Sequence, residues 1–424
     1  MPISREAARS GAAEAWPIRP VTESEFTDFS KVCSEALLSS SIDEERIARH
    51  RTNTEIDRTL AAFDGAQLIG TTGAYSFQMT LPGGIRPVAG VTCVGVLPTH
   101  RRRGVLSALM RRQLHDIHER GVEAVAALFA SEGGIYGRFG YGLAALSGTI
   151  TVRGGEGALR PDVPRDPALR LRMVEPREIR KELAVAHQAS AANRIGEFSR
   201  DERWWDRVLR DPEEDRGGYS GHKCVLVEDG AGPLGYALYR VKQQWDDFGV
   251  ADSLLGIVEL QATAPAAYAM LWEFLLNRDL VRSVRAELRP SDDSLLYMLA
   301  DRNRARMTLD TGLWMRLVDV PRALSERSYA AAVETVIEVT DPVCPWNAGR
   351  WRLSGGPGAA LCEGTTEPAD LTLSVSTLSS AYAGGERLSS YSAAGLVTEH
   401  RPGSVAELST ALTTASVPNC SVIF

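Results

Sequence analysis

Apolar residues recur along the chain at two spacings, every three to four positions and every second position, and the switches between them lay out the elements. Thr22 and Glu25 are spaced as in a capping box, and Phe26, Phe29, Cys33, Ala36 and Leu37 then follow one face of a helix. A polar helix is predicted over 43–51, joined to the first by a flexible run of serines, Ser39, Ser40 and Ser41. Two runs, 60–63 and 68–81, flank Asp64-Gly65 and predict an antiparallel hairpin, and Pro82-Gly83-Gly84 makes the next turn. Residues 91–97 read as a strand, Leu106, Leu109, Met110 and Leu114 as the apolar stripe of a helix, and 125–130 as a buried strand. The alternating run 146–152 is expected to close this sheet.

Gly154-Gly155-Glu156-Gly157 and the proline-rich RPDVPRDP mark a linker. From 168 to 318 the same order returns, through strands at 169–174, 219–228, 233–243, 254–262, 281–288 and 307–317 with helices at 177–192, 201–210, 266–276 and 292–301. Recurrence of order, more than of identity, predicts a second copy of the first fold. Residues 325–424 carry short strands at 334–339, 350–353 and 370–375, a helix-like TLSSAYAGG and a helix near 404–413. The fold class is α/β (α+β), divided into a disordered leader 1–16, a first domain 17–155, a second 156–320 and a third 321–424.

A length of 424 residues allows several cores. The net charge of -7 argues against nucleic acid as a bulk partner, because phosphate binding needs a basic face. A basic loop on an acidic chain fits an anionic cofactor and a cationic substrate instead. Cys33, Cys93, Cys224, Cys344, Cys362 and Cys420 show neither CxxC nor Cys/His spacing; they read as buried thiols in a reducing compartment, with no disulfide framework and no metal site. MPISREAARSGAAEAWPIRP lacks the apolar core of a signal peptide and no run approaches a membrane span, so a cytoplasmic protein is expected.

Chemistry concentrates between Val91 and Tyr141. After the strand, Arg101, Arg102, Arg103 and Gly104 lead directly into a helix. The first N–H groups of a helix have no internal partner and sit at its positive end, which suits a phosphate if the loop lets one approach. Gly104 supplies that approach and the arginines supply charge; a solvated helix start is the plain alternative. The next strand ends in Ser131-Glu132-Gly133-Gly134, followed by Tyr136 and the turn Gly137-Arg138-Phe139-Gly140-Tyr141-Gly142.

PTHRRRGVL together with ASEGGIYGRFGYG resembles the acetyl-CoA site of the GCN5-related N-acetyltransferases, and more narrowly the Eis (enhanced intracellular survival) family of aminoglycoside and lysine acetyltransferases. The resemblance implies two tandem acetyltransferase folds and a sterol carrier protein-like third domain, assembled as a homohexamer. It implies that acetyl-CoA lies along the backbone of Val94, Gly95 and Val96, with its diphosphate on Arg102, Arg103, Gly104, Val105, Leu106 and Ser107, and with Ser131 and Glu132 bordering the pantetheine arm. Leu106 stands where the wider superfamily often has a small residue. The second copy has Ala262-Thr263-Ala264-Pro265-Ala266-Ala267 at the equivalent of the loop, without arginine or glycine, and is expected to wall the acceptor cavity without holding a diphosphate.

By the same resemblance Tyr136 protonates the coenzyme A sulfur, with Tyr141 as competitor, and the C-terminal carboxylate of Phe424 deprotonates the amine. Val422, Ile423 and Phe424 form an apolar end whose burial would draw that carboxylate inward. Asp43 and Glu44 are candidates to hold the substrate ammonium, with solvated helix-start acids as the alternative reading. The expected function is acetyl-CoA-dependent acetylation of primary amines on aminoglycoside-like polycations, polyamines or lysine side chains. Ile423 lacks an acid that would anchor a polycation. The alternatives are a lipid or small-ligand binding protein with a vestigial acetyltransferase core, and an acyltransferase using another acyl-CoA.

Overall fold

A computed structural model describes residues 16–39 and 42–424. Almost all of the predicted leader, and Ser40 and Ser41 of the predicted join, lie outside the described residues. The Thr22 N–H donates to the Glu25 carboxylate at 2.9 Å, and the helix Phe26–Ala36 follows, burying Phe26, Phe29, Val32 and Cys33. Helix Glu44–Asn53 starts at Asp43, whose carboxylate accepts from the Arg46 N–H at 2.7 Å.

The first seven-stranded sheet runs, in spatial order, Ile18–Arg19, Thr59–Asp64, Gln67–Leu81, Gly84–Val96, Val125–Phe129, Leu313–Leu317 and Gly142–Leu143. The second runs Ala305–Thr311, Leu146–Arg153, Val281–Arg289, Ser253–Ala262, Gly232–Lys242, Lys223–Asp229 and Arg170–Val174. A five-stranded sheet built on Val333–Thr340, with helices Val375–Tyr382 and Ser404–Ala411, forms the third unit.

The two large sheets exchange strands, which corrects two expectations. Leu146–Arg153 does not close the first sheet; it pairs with Val281–Arg289 and Ala305–Thr311 in the second. The predicted strand 307–317 is two strands, of which Leu313–Leu317 crosses over to pair with Val125–Phe129 and Gly142–Leu143. The crossings lie side by side: Ala144 and Ala145 N–H groups donate to the Leu313 carbonyl at 2.9 and 3.1 Å, and the Gly312 N–H donates to the Ala145 carbonyl at 3.0 Å.

Arg316 on the exchanged strand is fully buried and paired with the equally buried Asp341 of the third unit at 2.6 Å. A buried ion pair holds only if its other hydrogen bonds are met. Arg316 also donates to the Phe139 and Leu317 carbonyls at 2.8 and 2.6 Å, while Asp341 accepts from the Val343 and Cys344 N–H groups at 3.1 and 3.0 Å. One guanidinium thus ties the glycine turn after Tyr136 to the third unit.

Candidate functional site

Strands Gly84–Val96 and Val125–Phe129 run parallel but pair only from Val88 to Gly90 and from Val125 to Ala127, and a cleft opens beyond. A bulge helps to open it. Gly73 pairs with Thr92 and Thr71 with Gly95, so Cys93 and Val94 together face the single residue Thr72. Cys93 adopts φ +54, a left-handed conformation that costs a side-chain-bearing residue about 1–2 kcal/mol. Thr71 holds it there by donating its hydroxyl to the Cys93 carbonyl at 2.7 Å. Val94 is half-buried on this diverging stretch; Gly95 and Val96 are buried.

The arginine loop sits at the mouth of the cleft. Arg101 folds back, donating to the Ala36 carbonyl at 3.1 Å, and Arg103 lies over the Trp16 ring at 4.9 Å. Arg102 has no hydrogen-bond or ion-pair partner among the described residues. Gly104, at φ +87, caps helix Val105–Arg120. The first helical bond is from the Ala108 N–H to the Gly104 carbonyl, and among the described residues nothing accepts from the N–H groups of Arg102 through Ser107. Six consecutive unpaired N–H groups, the positive end of a helix and three exposed arginines fit a diphosphate.

Tyr136 ends the short helix Gly133–Tyr136 and belongs to a core cluster against which Val94 and Leu106 pack. It is buried, and burial, then the Glu132 charge, push its phenol up to about 12, so it stays neutral and able to donate. Ser131 and Glu132 are exposed beside it. The Tyr141 ring meets Tyr136 edge-on at 5.9 Å, but Tyr141 is wholly buried and its hydroxyl has no partner. Gly140 combines φ +84 with contact to the third unit. A Cβ there would sit 2.6 Å from Arg316 Nε and 2.8 Å from a Val375 methyl, so this glycine makes room for the buried ion pair.

The end of the chain reaches the same cleft. The Phe424 ring is buried, edge-on to Phe129 at 5.4 Å and to Phe77 at 4.8 Å. Phe129 is the last residue of the strand that leads to Tyr136. One residue back, the Ile423 carbonyl accepts from Arg207 at 3.4 Å, and the same guanidinium reaches the Tyr75 hydroxyl at 3.4 Å.

Ser421 is held in the second copy. Its N–H donates to Glu197 at 3.0 Å, and its hydroxyl lies 3.0 Å from both Glu197 and Glu259 and 3.2 Å from Arg200. Burial would raise the Glu259 carboxyl, but the paired Arg200 guanidinium holds it down at about 2; Glu197, without such a close cation, is raised by burial. Ser421 and Asn419 line a cavity of 310 Å³ between Ser253–Ala262 and the start of helix Pro265–Leu276, where the first copy has its arginine loop. Arg289, Asp293 and Tyr268 in this cavity satisfy one another at 2.5–2.9 Å. The second copy thus uses its cleft to grip the chain's own tail.

Asp43 and Glu44 lie at the start of helix Glu44–Asn53. Asp43 spends its carboxylate on the helix cap and Glu44 is exposed in the first turn. Tyr75, Arg207 and Arg316 were not singled out from the sequence. Among the described residues no group of three or more His, Cys, Asp or Glu could hold a metal ion, and no helix is long and apolar enough to cross a membrane.

Models described as acetyltransferase (GNAT) domains match residues 17–144 and 196–317, and a sterol carrier protein domain matches 320–421. An uncharacterized N-acetyltransferase of Streptomyces avermitilis is 42% identical over 370 residues, 87% of this chain and 90% of its own. The N-acetyltransferase Eis of Mycobacterium tuberculosis is 33% identical over 397 residues, 91% of each chain. The crystal structure of Eis1 from Mycobacterium abscessus superposes with a TM-score of 0.82 at 32% identity, covering 96% of this chain and all of that one.

Proposed function

Because the chain belongs to the Eis family of GCN5-related N-acetyltransferases, an enzyme family whose fold uses acetyl-CoA and an amine acceptor, we propose that it acetylates primary amines by direct transfer between the residues just described. In this reading the N–H groups and arginines from Arg102 to Ser107 hold the diphosphate, and the backbone of Val94, Gly95 and Val96 lines the pantetheine arm and the thioester, with Ser131 and Glu132 on the other side. The α-carboxylate of Phe424 takes a proton from the substrate ammonium, directly or through a water. Its charge at neutral pH also draws the cation in. Tyr136 gives its proton to the departing sulfur, a role suited to a phenol that stays neutral to about pH 12. Tyr141, walled in on every side, packs behind it.

The observation that supports this reading is the Phe424 ring packed edge-on against Phe129, the last residue of strand Val125–Phe129. Deleting Phe424, or extending the chain past it, is expected to lower turnover by on the order of 10²–10⁴-fold while acetyl-CoA binding stays within a factor of two or so. Unchanged turnover with cofactor binding intact would remove the carboxylate from the mechanism.

For the acceptor, lysine-type amines are favoured over aminoglycosides or polyamines. Arg207 sits at the Ile423 carbonyl, and its charge, with those of Arg49 and Arg46, acts on Arg210, which burial already lowers. Asp215 is shared between Arg46 and Arg210. A polycation passing these arginines is repelled more strongly than a single ammonium. A panel of lysine peptides, polyamines and aminoglycosides assayed side by side tests the order. The protein is further proposed to work in the cytoplasm as a homohexamer, which light scattering tests.

A further inference from the structure

One nucleophile stands beside the cofactor strand without a part in that chemistry. Cys93, at the bulge, is half-buried, and its Sγ lies 3.2 Å from His50 Nε2. On the far side of the ring, His50 Nδ1 is 2.9 Å from the buried Ser30 hydroxyl. The Phe26 and Phe29 rings fix the imidazole, their centroids 5.2 and 6.1 Å from its own. A thiol, an imidazole within hydrogen-bond reach and a third group orienting the imidazole is the arrangement that activates a cysteine.

The surroundings single out one of two sulfurs. Cys33, buried on helix Phe26–Ala36, neighbours Cys93. Hydrogen bonding from Cys33 brings Cys93 well below the usual thiol range; burial opposes this and His50 reinforces it. Cys33 is pushed well up in exchange, and Tyr75, also near, is raised to about 12 by burial and by Cys93. Of the two thiols, Cys93, on a half-buried residue within reach of His50, is the one lowered, while Cys33, buried on its helix, is raised.

We propose that Cys93 is an acyl-accepting thiol, which takes the acetyl group from acetyl-CoA as an enzyme-bound thioester when no amine occupies the acceptor site. This rests on the reading of Val94 to Val96 as the segment along the thioester, since Cys93 is the next residue. Cys93 Sγ forms a bond to the acetyl carbon and the carbon–sulfur bond to coenzyme A breaks. The departing thiolate takes up the proton that Cys93 passed to His50. One thioester replaces another, so the step consumes no oxidant, reductant or further co-reactant. An amine arriving later attacks the Cys93 thioester and returns the thiol.

The test incubates the whole protein, kept reduced with a phosphine, with acetyl-CoA and no amine, and maps acetylated cysteines by peptide mass spectrometry. One acetyl group is expected on the peptide carrying Cys93, removed by neutral hydroxylamine and formed at least about tenfold faster than on any other cysteine. His50→Gln should slow that labelling and, in parallel, alkylation of Cys93 by iodoacetamide, which needs no acetyl-CoA; Ser30→Ala, a milder change, should slow both less. Absence of acetyl from Cys93 in a preparation that acetylates amines, or labelling spread evenly over the cysteines, would overturn the proposal. A preparation that labels Cys93 yet acetylates no amine would instead overturn the amine-acceptor reading and leave this one standing.

Discussion

The Ser421 N–H donates to the Glu197 carboxylate at 3.0 Å, fastening the tail to a residue 224 positions earlier in the chain. Both residues are buried, so the bond works in a medium where an unmet partner costs about 1–3 kcal/mol. Glu197→Gln and Ser421→Ala are each expected to lower turnover and leave acetyl-CoA affinity unchanged, because the tail loosens while the arginine loop is untouched. Combined in a double-mutant cycle read by thermal denaturation, they should couple by about 0.5–3 kcal/mol. Simple additivity would show that the tail is held elsewhere.

Tyr136→Phe should reduce kcat by about 10²–10⁴-fold with little change in acetyl-CoA binding. The sign of the pH effect follows from the raised phenol. An acid whose proton is held up to about 12 keeps donating as the solution becomes alkaline, so Tyr136 should produce no fall in rate until pH approaches that value. A fall centred near the ordinary phenol value of about 10 would mean that the acid is a less buried group.

At the loop, Arg102→Ala should weaken acetyl-CoA binding by about 1.5–3 kcal/mol, measured by calorimetry, and flatten its salt dependence, as loss of a charge-assisted bond requires. The melting temperature should hardly move, because Arg102 has no protein partner to lose among the described residues. An unchanged affinity would take the diphosphate away from this loop.

The strand exchange predicts that the copies cannot be separated. A fragment ending at 155 lacks Leu313–Leu317 and leaves the edge of Val125–Phe129 unpaired, and it also carries Leu146–Arg153 without its partners. Such a fragment is expected to aggregate, whereas co-expression with 156–424 should rescue a soluble complex. A monomeric fragment with a cooperative melt would mean that the sheet closes without the borrowed strand.

The strand, arginine loop, helix and glycine turn were legible because each is local: the spacing of Leu106, Leu109, Met110 and Leu114 and the run Arg101 to Gly104 carry their own physics. The exchange was not. Leu146–Arg153 alternates in the way that suits a half-buried strand in either sheet, and nothing within it says which partner wins. Glu197, Arg200 and Glu259 carry no local signal of burial, and only the fold brings their side chains together in the interior. Cys93 and His50 are 43 positions apart and meet only through the bulge and the packing of helix Glu44–Asn53.

Borrowing a strand also has a schedule. On the ribosome, Gly142–Leu143 emerges long before Leu313–Leu317, the strand that must slide in beside it, with on the order of 170 residues to be translated between them, roughly 10–35 s at about 5–20 residues per second. Throughout that interval the edges of Val125–Phe129 and Gly142–Leu143 wait for the strand that pairs with both, so the first sheet completes only late in synthesis.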